Sequence, residues 1–228
     1  MANNYYEATG VLVLNQVTPV IRALFSEFRV DADYPGNGEA YIALRSDSSP
    51  SWDDLRETLT DLARSLALIP SPDTLTPIGE VLQVLSDHFC ADRNTALDSM
   101  IQRDDFGDAA DLKDLFLLAT CFDDGHHLRE IRFEGSCRFD KLRLFEFGGA
   151  GHYMSREFAL DSASSDALQL GPLIRSALSS KDFASAGIIV AREALRLLAG
   201  IRDAVQRDQV QRAAIWKLME DLVDRGEE

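Results

Sequence analysis

Cysteine is scarce in this chain of 228 residues, which has three: Cys90, Cys121 and Cys137. Three thiols cannot all pair within one chain, and none has the Cys-x-x-Cys spacing of a zinc or redox site. Isolated cysteines of this kind are usually small buried side chains. The sequence therefore predicts no metal site. A chain of this length buries a sufficient core without disulfides or metals.

Long hydrophobic runs are also missing from the sequence. The first residues, MANNYYEATG, lack the basic stretch and apolar run of a secretory signal. No apolar segment approaches the ~18 residues that predict a membrane span. The composition, 46% hydrophobic and 27% charged, is typical of a globular chain and not of a disordered one. We expect a cytoplasmic protein without a membrane partner.

Basic residues are few in the first part of the chain. Residues 1–125 hold 22 acidic and 8 basic residues, a balance of −14, whereas residues 126–228 have a balance of −1. A phosphate backbone is bound by Lys and Arg, so the acidic part is not expected to bind nucleic acid directly. An acidic surface instead attracts a basic protein surface. The alternative is that the charge only keeps the protein soluble.

Short catalytic motifs are missing as well. The chain contains no Gly-x-Ser-x-Gly and no His-Glu-x-x-His, and its Gly-Gly-Ala-Gly at 148–151 matches neither a P-loop nor a dinucleotide-binding loop. Asp-Phe-Gly at 105–107 stands without the rest of the kinase motifs. The sequence therefore predicts no cofactor. It leaves an enzyme open, because many active sites have no local motif.

Helices and strands alternate in the first part of the chain. Residues 8–14 read as a buried strand, Thr18-Pro19 begins a helix, residues 34–38 have loop composition, and residues 39–45 form a second strand. Ser49 or Ser51 caps the next helix, whose first turns are rich in Asp and Glu. The pattern predicts a β-α-β-α start, followed by helices over 77–89 and 94–102 and from about Asp108.

The spacing of apolar residues changes twice in the later part of the sequence. Residues 129–159 alternate with a period of two, which predicts a three-stranded antiparallel meander. Helical spacing returns over 166–179, 182–204 and 207–225. We therefore predict an α+β fold: a mixed sheet covered by helices, with an acidic α+β domain over residues 1–163 and a helical subdomain over residues 164–228.

The last two helices each carry an apolar stripe. In the first of them Arg192, Arg196 and Arg202 are expected to face outward, whereas in the second Trp216 belongs to the apolar side. Short amphipathic helices are not stable alone in water, so both stripes must be covered. The pair is expected to form either a lid on the sheet or a dimer seam, and an exposed Trp216 would mark a contact surface.

Histidine and aspartate concentrate in two segments that could carry chemistry. Asp123, Asp124, His126 and His127 are residue types that serve as metal ligands and acid–base groups, and His152 with Tyr153 follows the glycine-rich turn. Neighbouring residues on a strand point to opposite faces, however, so His126 and His127 are not expected to share a metal. The alternatives are a connecting turn for the first segment and a tight hairpin for the second.

A run of aspartates precedes and enters the helix expected from about Asp108. A spacing of three would place several of them along one side of a helix, as an acidic surface for a partner. The alternative is the ordinary preference for acidic residues at a helix start. The candidate partner-binding residues are Asp104, Asp105, Asp108, Asp111 and Asp114.

Three phrases of the sequence resemble an uncharacterised bacterial family associated with plasmids and integrative elements: NYYEATGVLVL at 4–14, FDDGHH at 122–127 and RLFEFGGAGHYMSREF at 143–158. The resemblance extends over most of the chain. It implies an accessory role, including interference with host defence, and carries over no catalytic residue.

Three hypotheses follow from these observations. The first is a non-enzymatic, acidic interaction protein whose N-terminal half binds a basic protein, such as one that handles nucleic acid. The second is a small enzyme with a pocket near the meander, using His126, His127 or His152 with Asp123, Asp124 or Tyr153. The third is a structural homodimer built through the C-terminal helices.

Overall fold

A computed structural model describes residues 4–44, 50–69, 76–91, 94–139 and 147–224. It confirms the α+β class. The strands are β1 Asn4–Val13, β2 Arg29–Gly36, β3 Glu39–Leu44, β4 Glu130–Phe139, β5 Gly148–Ser155 and β6 Ala159–Ala163. The helices are α1 Pro19–Leu24, α2 Trp52–Ser65, α3 Ile78–His88, α4 Thr95–Ile101, α5 Leu112–Cys121, α6 Asp166–Ser179, α7 Phe183–Ala199 and α8 Ala204–Asp224.

The chain forms two compact units, Met1–Gly148 and Gly149–Glu228. The sequence interpretation grouped β5 and β6 with the first domain, whereas these strands cluster with the C-terminal helices. The second unit therefore consists of a β hairpin followed by three helices. In the described part of the chain, no helix has both the length and the apolar character needed to cross a membrane.

The first unit is organised around strand β1. The strand order is β2-β3-β1-β4, and β1 pairs antiparallel with both β3 and β4. Alternate residues of these strands are buried: Ala8 and Leu12 in β1, Ile42 in β3, and Ile131 and Phe133 in β4. Residues two apart on a strand share a face, so one side of the sheet belongs to the core of the unit.

The helices of the first unit contribute the rest of this core. Ser51 caps α2 as expected, since its side chain accepts a hydrogen bond from the Asp54 N–H at 3.0 Å. Leu55 and Leu59 of α2, Leu82 of α3 and Phe116 of α5 are almost fully buried. Burying one side chain of this size stabilises the folded unit by about 1.5–3 kcal/mol.

Two sequence predictions in this unit need correction. The segment before residue 34 was not predicted as a strand, but Arg29–Gly36 forms β2, which pairs with β3 up to the turn at Asn37 and Gly38. The strand carries Asp31 and Asp33 and lies at an edge with little burial, so it lacks the alternation that marks a half-buried strand. The cysteines also differ from the prediction, because none of the three is buried.

The second unit begins with the hairpin. Strands β5 and β6 pair antiparallel with His152 directly opposite Asp161. Helix α6 packs against α7, and the end of α7 approaches the hairpin, where the Ala159 N–H donates to the Gly200 carbonyl at 2.9 Å. A side chain at Gly200 would collide with the Ala159 carbonyl oxygen, which explains the glycine at this position. Residues 140–146, which were expected to continue the meander, lie outside the described residues.

Candidate functional site

The Asp-Asp-Gly-His-His segment forms a turn between α5 and β4. The Oδ1 atom of Asp123 accepts hydrogen bonds from the N–H groups of Gly125 and His127, both at 3.0 Å. Its Oδ2 atom lies 2.7 Å from His127 Nδ1. His127 has a φ of 48°, in the left-handed region that is uncommon for histidine. The Asp123 carboxylate holds the turn in this conformation.

The same turn stabilises a helix far away in sequence. Helix α1 has Thr18 at its N-cap position, but the Thr18 side chain makes no capping hydrogen bond. The Asp124 Oδ2 atom instead accepts from the Val20 N–H at 3.2 Å, across 104 residues. The first N–H groups of a helix lack intrahelical partners, and a carboxylate there is favoured by the helix dipole. Asp124 therefore acts as the cap of α1.

His126 is the buried member of this group. Its side chain is fully inaccessible, and its Nδ1 atom accepts from the Leu128 N–H at 2.9 Å. Burial lowers the pKa of His126, although Asp123 and Asp124 oppose this shift. Burial acts to raise the pKa of Asp123, but hydrogen bonds from His127 and Gly125 outweigh it, so the pKa of Asp123 is lowered. Both shifts favour a neutral imidazole beside an ionised carboxylate.

This geometry argues for a structural role of the turn. A buried imidazole with one nitrogen already bonded offers a ligand no access, and the exposed His127 is held by Asp123. Within the described ranges, no group of three or more His, Cys, Asp and Glu side chains is placed to hold a metal. The turn connects α5, β4 and α1, and this connection accounts for its carboxylates and imidazoles.

The candidate partner-binding aspartates do not form one helical side. Helix α5 begins at Leu112, so only Asp114 lies in it, and Asp111 caps it by accepting from the N–H groups of Lys113 and Asp114 at 2.8 Å. Burial and the Asp111 charge raise the pKa of Asp114, which pairs with Arg103 at 3.6 Å.

The remaining three aspartates, Asp104, Asp105 and Asp108, are exposed in the segment before α5. We call residues 104–111 the acidic loop. The fold still places these carboxylates together on the surface, but as a loop.

The second unit contains a cavity of about 510 Å³ beside the hairpin. One wall holds the pair His152 and Asp161, whose Nδ1 and Oδ1 atoms are 2.9 Å apart. Helix α7 supplies Arg192, Glu193 and Arg196 to the other wall. The rest of the lining is formed by Ala150, Ser162, Ala163, Asp166, Gln169, Leu170, Leu173 and Ile189.

Most charged groups of this cavity already have partners. Arg196 donates to Glu193 at 2.9 Å and to the Asp161 carbonyl at 2.8 Å, and Asp166 accepts from the Ala163 N–H at 3.0 Å. The Asp161 carboxylate orients the His152 ring through Nδ1. The cavity therefore contains an oriented imidazole.

Of the predicted pairs of a histidine with Asp123, Asp124 or Tyr153, the structure brings His127 together with Asp123 in the turn, and it does not pair His152 with Tyr153. Tyr153 follows His152 on β5, is not among the residues that line the cavity, and its ring contacts Phe158 at 6.2 Å between centroids. The partner of His152 is Asp161, which sequence analysis missed. The hairpin turn would have revealed it, because a fixed register places the two residues opposite each other.

The helices of the second unit expose most of their apolar side chains. In α6, Ala177 is buried, and α7 has no buried residue. Trp216 in α8 is 72% exposed. The exposed large apolar residues of these helices are Leu168, Leu173, Leu178, Phe183, Ile188, Val190, Leu195, Leu197, Val205, Val210, Ile215, Trp216, Leu218 and Met219.

Comparisons with protein-family models, with curated proteins and with solved structures find no significant match for this chain.

Proposed function

We propose that this protein acts by binding a basic protein surface through the acidic loop of its first unit. One observation carries the proposal: Asp104, Asp105 and Asp108 are exposed, and among the described residues no ion pair neutralises them. The unit to which they belong, residues 1–148, contains 26 acidic and 13 basic residues. A partner such as a nucleic-acid-handling protein, which carries a basic surface, has the complementary charge.

The proposed interaction is electrostatic, and this determines its kinetics. Opposite potentials accelerate association and select partners more than they increase affinity in the complex. The acidic loop is held at one end by Asp111, which caps α5, and at the other by the pairing of the Arg103 and Asp114 side chains. The carboxylates between these points are thus presented from an anchored segment. An accessory role for a plasmid or integrative element, as an inhibitor of a host defence protein, is a proposal that rests on the resemblance alone.

Neutralising the loop should weaken partner capture. We expect the triple variant Asp104→Asn, Asp105→Asn, Asp108→Asn to retain several-fold less basic protein from a native lysate at low salt. At about 1 M salt, where the Debye length is about 3 Å, the variant and the unchanged protein should capture equally little. Quantitative mass spectrometry of the captured proteins provides the measurement.

A matched control removes three charges elsewhere in the same unit. Glu27, Glu57 and Glu80 are exposed, and their change to Gln alters the net charge by the same amount. This control should capture basic proteins almost as well as the unchanged protein. Equal losses in both variants would mean that the overall charge only keeps the protein soluble.

A second candidate function is supported by the cavity beside the hairpin. An imidazole oriented by a carboxylate is the arrangement of a general base, because the carboxylate fixes the tautomer and leaves Nε2 unprotonated. His152 and Asp161 have this arrangement at the wall of a cavity large enough for a small molecule. The reaction class that it supports is hydrolysis, with His152 activating a water molecule.

Paired substitutions test this second function. If it is correct, the unchanged protein hydrolyses some member of a panel of small carboxylic and phosphate esters. His152→Gln and Asp161→Asn should then each lower that rate, by about a hundredfold for His152, which is an ordinary contribution of general-base catalysis. His127→Gln, in the other unit, serves as the control. Equal rates for the unchanged protein and all three variants would exclude His152 as a base.

A further inference from the structure

Helix α7 directs its polar side toward its own unit and its apolar side toward solvent. Arg192, Glu193 and Arg196 line the cavity, with Ile189 beside them. The opposite side of the helix is formed by exposed apolar and small residues at a repeating spacing of four and three: Phe183, Gly187, Val190, Ala194 and Leu197. We call these five residues the α7 stripe. Arg192, Arg196 and Arg202 are exposed, as the sequence predicts, and the first two also line the cavity.

The apolar surface extends well around the helix. Ala184, Ile188, Ala191 and Leu195 are also exposed and lie next to the α7 stripe at 100° per residue. Together the two sets cover about half of the circumference. Helix α8 adds a second exposed apolar patch at Ile215, Trp216, Leu218 and Met219. In water, amphipathic helices are stabilised mainly by burying such a side, so this surface is suited to packing against a further protein surface.

The net charge of the second unit indicates what kind of partner surface can bind to it. Residues 149–228 contain 10 basic and 12 acidic residues, a balance of −2, compared with −13 for residues 1–148. Two copies that met through their first units would repel each other, whereas two copies that meet through α7 do not. A strongly charged partner gains little from this nearly neutral surface.

The order of residues in the α7 stripe favours a second copy. The stripe reads large, small, large, small, large from either end, with Val190 at its centre. An interface with two-fold symmetry requires a surface that is complementary to itself, and a stripe that is similar in both directions meets this requirement in an antiparallel pair. Gly187 and Ala194 allow the two helix backbones to approach closely.

We propose that the protein forms a homodimer in which the α7 stripes of two copies pack antiparallel, with the two-fold axis passing near Val190. Each Val190 then faces its own counterpart. Phe183, Val190 and Leu197 form the centre of this contact, and an interface of standard size buries about 800 Å² per partner. The dimer does not depend on the acidic loop.

Charge substitutions at Val190 test this arrangement, because the residue is exposed and its replacement should not unfold the chain. The unchanged protein should sediment as a dimer at micromolar concentration. Val190→Asp and Val190→Lys each place two like charges opposite one another and should weaken the dimer at least about a hundredfold, giving monomers. An equimolar mixture of the two variants should restore the dimer, because Asp then faces Lys across the axis.

Three further outcomes complete the test. Tyr34→Asp, at an exposed aromatic residue of the first unit, should leave the dimer intact. Far-ultraviolet circular dichroism should show equal helix content in all variants. A monomeric unchanged protein overturns the proposal, and so does either a dimer that survives both Val190 substitutions or a variant mixture that remains monomeric.

Discussion

Replacing Gly10 with valine should destabilise the first unit by at least about 3 kcal/mol, a large part of the 5–15 kcal/mol that holds an ordinary domain together. Gly10 lies in the middle of β1, opposite Phe133 of β4. A Cβ atom built on Gly10 would collide with the Arg132 carbonyl oxygen and lie 2.8 Å from the Phe133 Cα atom. Both obstacles are backbone, so no side-chain rotation relieves them, and β1 must separate from β4.

Thermal and urea unfolding followed by circular dichroism measure this loss. Thr9→Val is the matched control, because it introduces the same residue in the same strand at a position that already carries a branched side chain. It should unfold within about 1 kcal/mol of the unchanged protein. If Gly10→Val unfolds like the control, the close approach of β1 and β4 described above is wrong.

Acid should destabilise the first unit through His126. Burial lowers the pKa of this imidazole below its ordinary value of 6.5. The unfolded chain therefore binds a proton at a pH where the folded chain does not. The stability contributed by the neutral histidine is complete above pH 6.5 and is lost as the pH falls below it toward the lowered pKa. The lowered pKa of Asp123 adds a loss in the same direction, but only below its ordinary value of 3.8.

The two contributions can be separated by their pH windows. Urea unfolding of the unchanged protein from pH 8 to pH 5 should show stability falling with acidity. His126→Asn keeps an acceptor near the Leu128 N–H and removes the titrating group, so most of this slope should disappear. His88→Asn, at an exposed histidine near the end of α3, should keep the slope. If His126→Asn retains the full slope, another group is responsible for it.

Local chemistry explains which elements could be predicted from the sequence. Helix α2 follows from the Ser51 cap and the acidic first turn, and β3 follows from an apolar run that only small residues interrupt. Helix α5 starts later than predicted, because Asp111 is the residue that accepts from the first N–H groups. By residue type alone, several aspartates in this segment were equally suitable as the N-cap of α5.

The structural role of the turn at residues 123–127 could not be predicted from the neighbouring sequence. The sequence marks Asp124 and His126 as chemically capable residues, but the Val20 N–H that Asp124 caps is 104 residues away. Likewise, helical spacing shows that α7 has a polar and an apolar side, and it does not show which side its own unit covers. That choice depends on the hairpin, whose Asp161 carbonyl holds Arg196.

The position of β1 at the centre of its sheet also orders events during synthesis. The strand is made first, yet its partner β4 spans Glu130–Phe139, so one side of β1 has no partner until more than a hundred further residues have been added. At 5–20 residues per second this delay is on the order of ten seconds. Throughout it, Leu12 and the other apolar residues of β1 lack their final neighbours. The ribosome therefore presents a strand with one unpaired edge to chaperones for most of the time that the first unit is being translated.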